Sequence, residues 1–465
     1  MKLRSSVFGL AAAWGLGGCA SAPPSSLPSV QDQVSARSGL AVSWPKSSAE
    51  RSERDTAVRA LLARELTPDT AVQIALLNSP ELQATFEELG ISEADLFASG
   101  QLHNPTFFSS TRWSNSPPRG PDAEFSLTAD LLDDFLIPVR QRVARNQVTA
   151  AENRVARAAL DLGAQVKIAV YTLEARHMFR ARLESILDAN QAASDLAQRQ
   201  FDAGNISRLD LAQTQAPAQE ARLQLMRADA QIQSERETLT RLLGLGADQA
   251  QWKLAAELSA PPEAAELISG DWESHALAQR LDLSAAQADL AAAQSSFDLR
   301  RKTRFSPAGV NVGVDTERNP DGSRVTGPQV SLGLPIFDQG QADLERLGAE
   351  VRRLQDRVDG LRSAITSEVR AARAALEAAR SVADYYNQTI LPQRQLILKE
   401  TLLNYNAMQK SSYELLLAKE EQLMAEREGI EALRDYWVAR VELERAVGGN
   451  LTPVASAGPG AQPAR

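Results

Sequence analysis

Phe201-Asp202-Ala203-Gly204-Asn205-Ile206-Ser207-Arg208-Leu209-Asp210-Leu211 closes one long helical pattern and opens another. The stretch from Tyr405-Asn406-Ala407-Met408-Gln409-Lys410-Ser411 to Glu414-Leu415 does the same 204 positions later. In each copy the helix stops at a short polar break and returns for about 37 residues, ending at Gly244 or Gly448. Such a return is an antiparallel helical hairpin. Arg241 and Gly244 match Arg445 and Gly448 at the same offset, and the Ala-Leu and acid-Leu positions of 74–82 match those of 275–283 at an offset of 201. Landmarks in one order at a nearly constant offset indicate a duplication. A period near 200 residues marks whole domains rather than the short units of solenoids.

The helices entering these breaks are unusually long. From Leu344, the apolar positions Leu347, Val351, Leu354, Val358, Leu361 and Ile365 keep a 3-4 spacing, which is a coiled-coil seam. The pattern runs from Gln341 to about Leu403, on the order of 95 Å as a helix, and that from Arg140 to Phe201 is comparable. Pro217 and Pro392 fall inside helices, so each should kink its helix or sit where a neighbour covers the lost bond.

Each long pattern is preceded by a β-like stretch. Residues 67–100 predict a helix, opening on Thr67 with Pro68 at its first position. Strands are then predicted at 106–113 and about 124–131, flanking the Ser/Pro/Gly-rich loop 114–121. The second half repeats this, with 309–314 and 330–334 flanking Asn319-Pro320-Asp321-Gly322. These strands are close to the roughly 9–11 residues that a transmembrane β-strand needs. Four strands and four long helical segments leave open edges and exposed seams, so the chain must oligomerise. Open edges cannot sit in hydrocarbon, and three chains would supply twelve strands for a closed barrel.

At the N-terminus, Lys2 and Arg4 precede an uncharged run from Val7 to Gly18, ending in Leu16-Gly17-Gly18-Cys19. This resembles a bacterial lipoprotein signal peptide with its lipobox, and the run is too short to span a bilayer. Cys19, the sole cysteine, falls at the acylated position, and Ala20 where an Asp would favour inner-membrane retention points toward the outer membrane. Residues 20–50, rich in Ser and Pro, predict a tether without core-forming periodicity.

Composition excludes several function classes. The 465 residues carry 50 Lys plus Arg against 59 Asp plus Glu, a net charge of -9, with no basic block, so no nucleic-acid partner is expected. Aromatics are 5% of the chain, against a broad enzyme core. Three isolated histidines and one cysteine build no dense metal site or disulfide framework. No P-loop, GxGxxG, nucleophile or acid/base constellation occurs, so neither catalytic residues nor a cofactor is expected.

The lipobox, Leu66-Thr67 through Asn78-Ser79-Pro80-Glu81-Leu82, the strand pairs, Leu334-Pro335-Ile336-Phe337-Asp338-Gln339-Gly340, Ile390-Leu391-Pro392 and the break at 201–211 together resemble the TolC-like outer-membrane efflux factor family, over about residues 65–450. The resemblance implies a mainly α fold with a small β part. Duplicated long antiparallel hairpins form an α-barrel, and four transmembrane strands per chain close a 12-stranded barrel in a homotrimer. It implies the exit duct of a tripartite efflux or type I export system in the outer membrane of a Gram-negative bacterium. The implied partners are outer-membrane lipid, a periplasmic membrane-fusion adaptor and an inner-membrane pump of RND or ABC type. The adaptor would dock at the tips, Gly204, Asn205 and Ser207 with Met408, Gln409 and Ser411; the second tip departs from the family by having Met408 where Gly is common.

Glu414 aligns with a tip acid that in the family forms a carboxylate ring at the periplasmic entrance, and Leu417 stands where a second ring acid can occur. Three facing carboxylates repel one another and attract cations. The other reading is that Glu414 favours the first turn of its helix. Asp210, its duplicate, is a further candidate for the periplasmic gate, with structural use at its helix start the preferred reading. The expected organisation is a signal peptide at 1–18, a lipid-anchored tether at 19–64, repeats at 65–250 and 251–450, and a disordered tail at 451–465. A different class stays open: a periplasmic coiled-coil lipoprotein acting as adaptor or scaffold, although an adaptor carries one hairpin rather than two.

Overall fold

The computed structural model describes residues 25–113, 115, 117, 121–246, 249, 251–255, 258–262, 271–305 and 309–451. The signal peptide, Cys19, most of the loop tip before Pro121 and all but the first residue of the expected tail lie outside them. In chain order the elements are α1 (Leu27–Ser38), α2 (Ser48–Leu62), α3 (Pro68–Asn78), α4 (Pro80–Ser99), β1 (Thr106–Trp113), β2 (Pro121–Asp130), α5 (Leu131–Phe135), α6 (Ile137–Asp202) and α7 (Arg208–Leu242). The second half follows with α8 (Trp272–Gln279), α9 (Leu281–Lys302), β3 (Val310–Arg318), β4 (Arg324–Leu332), α10 (Gln341–Tyr385), a π-helical turn Tyr386–Ile390, α11 (Leu391–Asn406) and α12 (Ser412–Val447). They form two compact units. One contains Leu89–Val148 and Ala291–Glu350; the other contains Ser29–Glu88, Thr149–Leu290 and the chain from Val351.

The second unit is helical. Val358, Ile365, Val369 and Leu376 of α10 pack with Leu283 and Ala286 of α9 and with Tyr436 and Leu443 of α12. Leu354, Val358 and Ile365 of the expected seam are buried. The uninterrupted helix expected from Gln341 instead changes to a π-turn at Tyr386–Ile390, just before Pro392. Proline has no N–H to give and its ring crowds the preceding turn, so the ladder widens there. The helix expected over 67–100 likewise breaks at Ser79, whose ψ of 120° is set by Pro80.

The tether expected between Ser25 and residue 64 is corrected. Val30 and Val34 of α1 are fully buried, as are Val42, Trp44 and Val58. Trp44 stacks on Phe86 at 5.6 Å and donates to Glu87 at 3.1 Å. A few apolar side chains spaced i, i+4 suffice to dock a short helix, although the surrounding Ser and Pro give the segment a tether's composition.

The first unit holds one antiparallel sheet in the order β1-β2-β3-β4. The strand pair of the first half is joined to that of the second: β2 pairs with β3 from Ala123↔Arg318 to Asp130↔Asn311. The outer edges of β1 and β4 have no strand beside them among the described residues.

Candidate functional site

Both hairpin tips, in the helical unit, are built alike. At the first, Gly204 has φ 75° and accepts the end of α6: its N–H bonds to Phe201 O at 2.9 Å and the Asn205 N–H to Gln200 O at 2.8 Å. At the second, Met408 (φ 58°) bonds to Tyr405 O at 2.9 Å, and Gln409 to Asn404 O at 2.9 Å. Met408 is the one non-glycine residue with positive φ among the described residues, and it is 94% exposed. The backbone therefore keeps the turn, with a left-handed residue at C′, where glycine would be unstrained.

The return helices open on matching capping boxes. The Ser207 hydroxyl accepts the Asp210 N–H at 3.2 Å while the Asp210 carboxylate accepts the Ser207 N–H at 3.0 Å. Ser411 and Glu414 repeat this at 3.3 and 2.9 Å, and Lys410 Nζ adds a bond to Glu414 at 2.5 Å. Lys410 first, then the Ser411 N–H, hold the Glu414 carboxyl down to about 2; the Ser207 hydroxyl and N–H depress that of Asp210. Both acids thus serve their own helix starts. Leu417, one turn on, is exposed. Gly204, Asn205, Ser207, Met408, Gln409 and Ser411 are all exposed, forming the two tips as a sequence reading places them.

The far end of each return helix also closes in matching fashion, by different chemistry. Gly244 (φ 68°) sits against the α3–α4 break, and Asn78 Nδ2 donates to Leu243 O at 3.1 Å and Gly244 O at 2.8 Å. In the second half Gly448 (φ 93°) sits against Arg280, whose guanidinium reaches Ala446 O, Asp282 and Glu368. Arg280 is 4% exposed, a node that its sequence position beside a helix start does not announce.

Glu174 on α6 is a further buried acid, 4% exposed, making no hydrogen bond or ion pair among the described residues. Burial pushes its carboxyl up from 4.5 to about 7. The folded state then holds a proton that the unfolded chain has released, so stability falls as pH rises from about 4.5 to about 7 and is level above that. Glu174→Gln is expected to remove this slope and to add about 1–3 kcal/mol at about pH 8, read from thermal unfolding of the solubilised protein across pH. An unchanged slope would place the titration elsewhere.

In the sheet unit, register sorts the side chains onto two faces. One face carries Phe107, Phe125, Leu127, Val310, Val312, Val314, Val330 and Leu332, with Trp113 near the hairpin turns. The other carries Asp122, Glu124, Asp130, Asp315 and Glu317 together with Arg112, which bonds to Glu124 at 2.9 Å. Phe107, Leu127, Val314 and Val330 are all more than half exposed, so the apolar face has no cover among the described residues. At the end opposite the turns, Phe135, Phe305, Leu334, Ile336 and Phe337 are exposed as well.

A family model described as outer membrane efflux protein matches residues 71–245 and 272–449. The cobalt-zinc-cadmium resistance protein CzcC of Cupriavidus metallidurans is 26% identical over 427 residues, covering 88% of this chain and 98% of that protein. A membrane protein from Pseudomonas aeruginosa superimposes with a TM-score of 0.70 at 22% identity, over 84% of this chain and 94% of its own. The CmeC outer membrane channel of Campylobacter jejuni does so with a TM-score of 0.71 at 17% identity, over 91% and 92%.

Proposed function

This chain belongs to the outer membrane efflux protein family, and on that premise we propose that three copies close their four-stranded sheets into a twelve-stranded barrel and assemble their helical hairpins into an α-barrel. The protein is an outer-membrane efflux channel, working with an inner-membrane pump and a periplasmic adaptor. What supports trimeric closure is the sheet, with one face apolar and one acidic, the apolar face uncovered and two edges without a neighbouring strand among the described residues. In hydrocarbon, only a closed barrel satisfies every strand, with apolar residues outward and polar residues lining water. The adaptor or scaffold alternative is not favoured, because the chain joins all four strands in one sheet and carries two hairpins.

In this reading Cys19 is acylated after removal of residues 1–18, and acyl chains supplement the barrel as an anchor. The repeats span 65–250 and 251–450. The exposed tips at Gly204, Asn205 and Ser207 and at Met408, Gln409 and Ser411 are where the adaptor docks. Glu414 and Leu417 narrow the entrance, while Asp210 serves only its helix. The pump selects the cargo. CzcC is named for cobalt, zinc and cadmium resistance, and divalent cations are the cargo class that this relative suggests.

The test is reconstitution. Purified protein is expected to run as a trimer in detergent and to conduct ions in planar bilayers; a water-soluble monomer without conductance would overturn the channel. Glu414→Ala is expected to raise single-channel conductance or weaken cation block. Lys410 and the Ser411 N–H favour the ionised form of that carboxylate against the repulsion of its two symmetry mates, so the effect should be present at neutral pH. Unchanged conductance and selectivity would remove Glu414 from the gate.

A further inference from the structure

The apolar face of the sheet carries two charges. Arg318 on β3 and Arg324 on β4 are direct cross-strand partners, in a row with Thr111 and Ala123. Every acid of the four strands lies on the opposite face. Both arginines are exposed, and neither makes a hydrogen bond or ion pair among the described residues. Like charges directly opposite each other destabilise a strand pair, and among the described residues nothing neutralises them.

Their height on the sheet is informative. The arginine row is the last before the β3–β4 turn, next to the 74% exposed Trp113, and the Val310↔Leu332 pair lies eight residues further down β3. Eight residues rise about 27 Å along a strand, and a tilt of about 40° shortens this to roughly 20 Å, close to the apolar band of an outer-membrane barrel. An arginine at mid-bilayer on a lipid-facing strand costs about 2–4 kcal/mol, but close to nothing at the interface. The pair therefore stands at headgroup depth, at the hairpin-turn end of the sheet. Paired guanidinium forks match phosphate oxygens in geometry and charge.

We propose that Arg318 and Arg324 form a seat for the phosphate-bearing headgroup of an outer-leaflet lipid, fixing the barrel's height in the membrane. This rests on the channel reading, which makes that face lipid-facing. One headgroup phosphate between the two guanidinium groups would turn their repulsion into attraction.

The experiment is native mass spectrometry of the detergent-purified protein, titrated with diphosphorylated lipid A, with phosphatidylcholine and with inorganic phosphate. Wild type is expected to retain lipid A in preference to both other probes. Arg318→Gln/Arg324→Gln should weaken retention roughly 30-fold, and Arg318→Lys/Arg324→Lys should keep part of it. Arg112→Gln, on the opposite face, should retain lipid A as wild type does. Equal retention by the double glutamine variant, or equal affinity of wild type for inorganic phosphate, overturns the seat. Should the double variant not be recovered as a trimer, the single Arg318→Gln variant decides by the same comparison. Conductance in phosphatidylcholine bilayers is measured in parallel. Lipid A retention by a protein that does not conduct would overturn the channel and leave the seat standing; conduction without lipid A selectivity would do the reverse.

Discussion

Gly313→Val is expected to abolish recovery of a conducting trimer while leaving the helical circular-dichroism signal near its wild-type value. Gly313 lies mid-way along β3, opposite Thr128 on β2 and Gln329 on β4. A Cβ there would run into the Leu127 carbonyl oxygen and stand 2.7 Å from Thr128 Cγ2 and 2.9 Å from the Leu127 carbonyl carbon. Backbone cannot swing aside as a flexible side chain can, so β3 would have to move away from β2. That junction joins the strand pair of the first half to that of the second, and no other strand pairing in the sheet does so. Loss of trimer by roughly tenfold or more is expected from overpacking at this site alone. Gly327→Val on β4 is the control, because a Cβ there has nothing within 4 Å. Equal recovery of the two variants would show that the β2–β3 junction is dispensable for assembly.

What the sequence discloses and what it conceals divide along the range of the interactions. The hairpin tips are legible because capping is local: Ser207 with Asp210, and Ser411 with Glu414, lie three residues apart, and the duplication prints the device twice. Duplication also makes Met408 legible, since a left-handed residue at that site follows from Gly204 and not from the properties of methionine. The strands are visible by their alternation, but the β2–β3 pairing is not, because it joins residues nearly 200 positions apart and no turn fixes its register. The docking of α1 is hidden for a similar reason. Val30 and Val34 become core only once the helices they pack against are in place. The headgroup-depth arginines emerge only when register assigns each charge to a face, and the sequence alone shows Arg318 and Arg324 as two turn-flanking charges. The acid at Glu174 has no sequence signal, since burial of one glutamate within a long charged helix is a tertiary fact.

Arg280→Ala should destabilise the helical unit by about 2–4 kcal/mol, more than any other single truncation at the ends of the return helices. Its guanidinium is bound to Asp282 Oδ2 at 2.5 Å, to Glu368 Oε2 at 2.5 Å and to the Ala446 carbonyl at 3.3 Å. Truncation leaves two carboxylates facing one another across the vacated space and removes the donor to the end of α12. Both acids keep some access to water, which holds the effect below that of a fully buried charge. In the first half Asn78 caps the equivalent helix end with two neutral bonds, so Asn78→Ala should cost about 1–3 kcal/mol, the smaller loss. Arg280→Lys keeps the charge but not the fork, and should fall between wild type and alanine. The pH dependence separates charge from packing. Burial alone would raise the Asp282 carboxyl, but Arg280 more than offsets that and holds it below its usual 3.8. That stabilisation is present above the unfolded value and lost as pH falls through the lower folded one. The gap in thermal midpoint between wild type and Arg280→Ala should therefore narrow as the solution is acidified below about pH 4. A gap constant with pH would mean that Arg280 acts through its packing, and an Asn78→Ala loss as large as that of Arg280→Ala would refute the ion-pair node altogether.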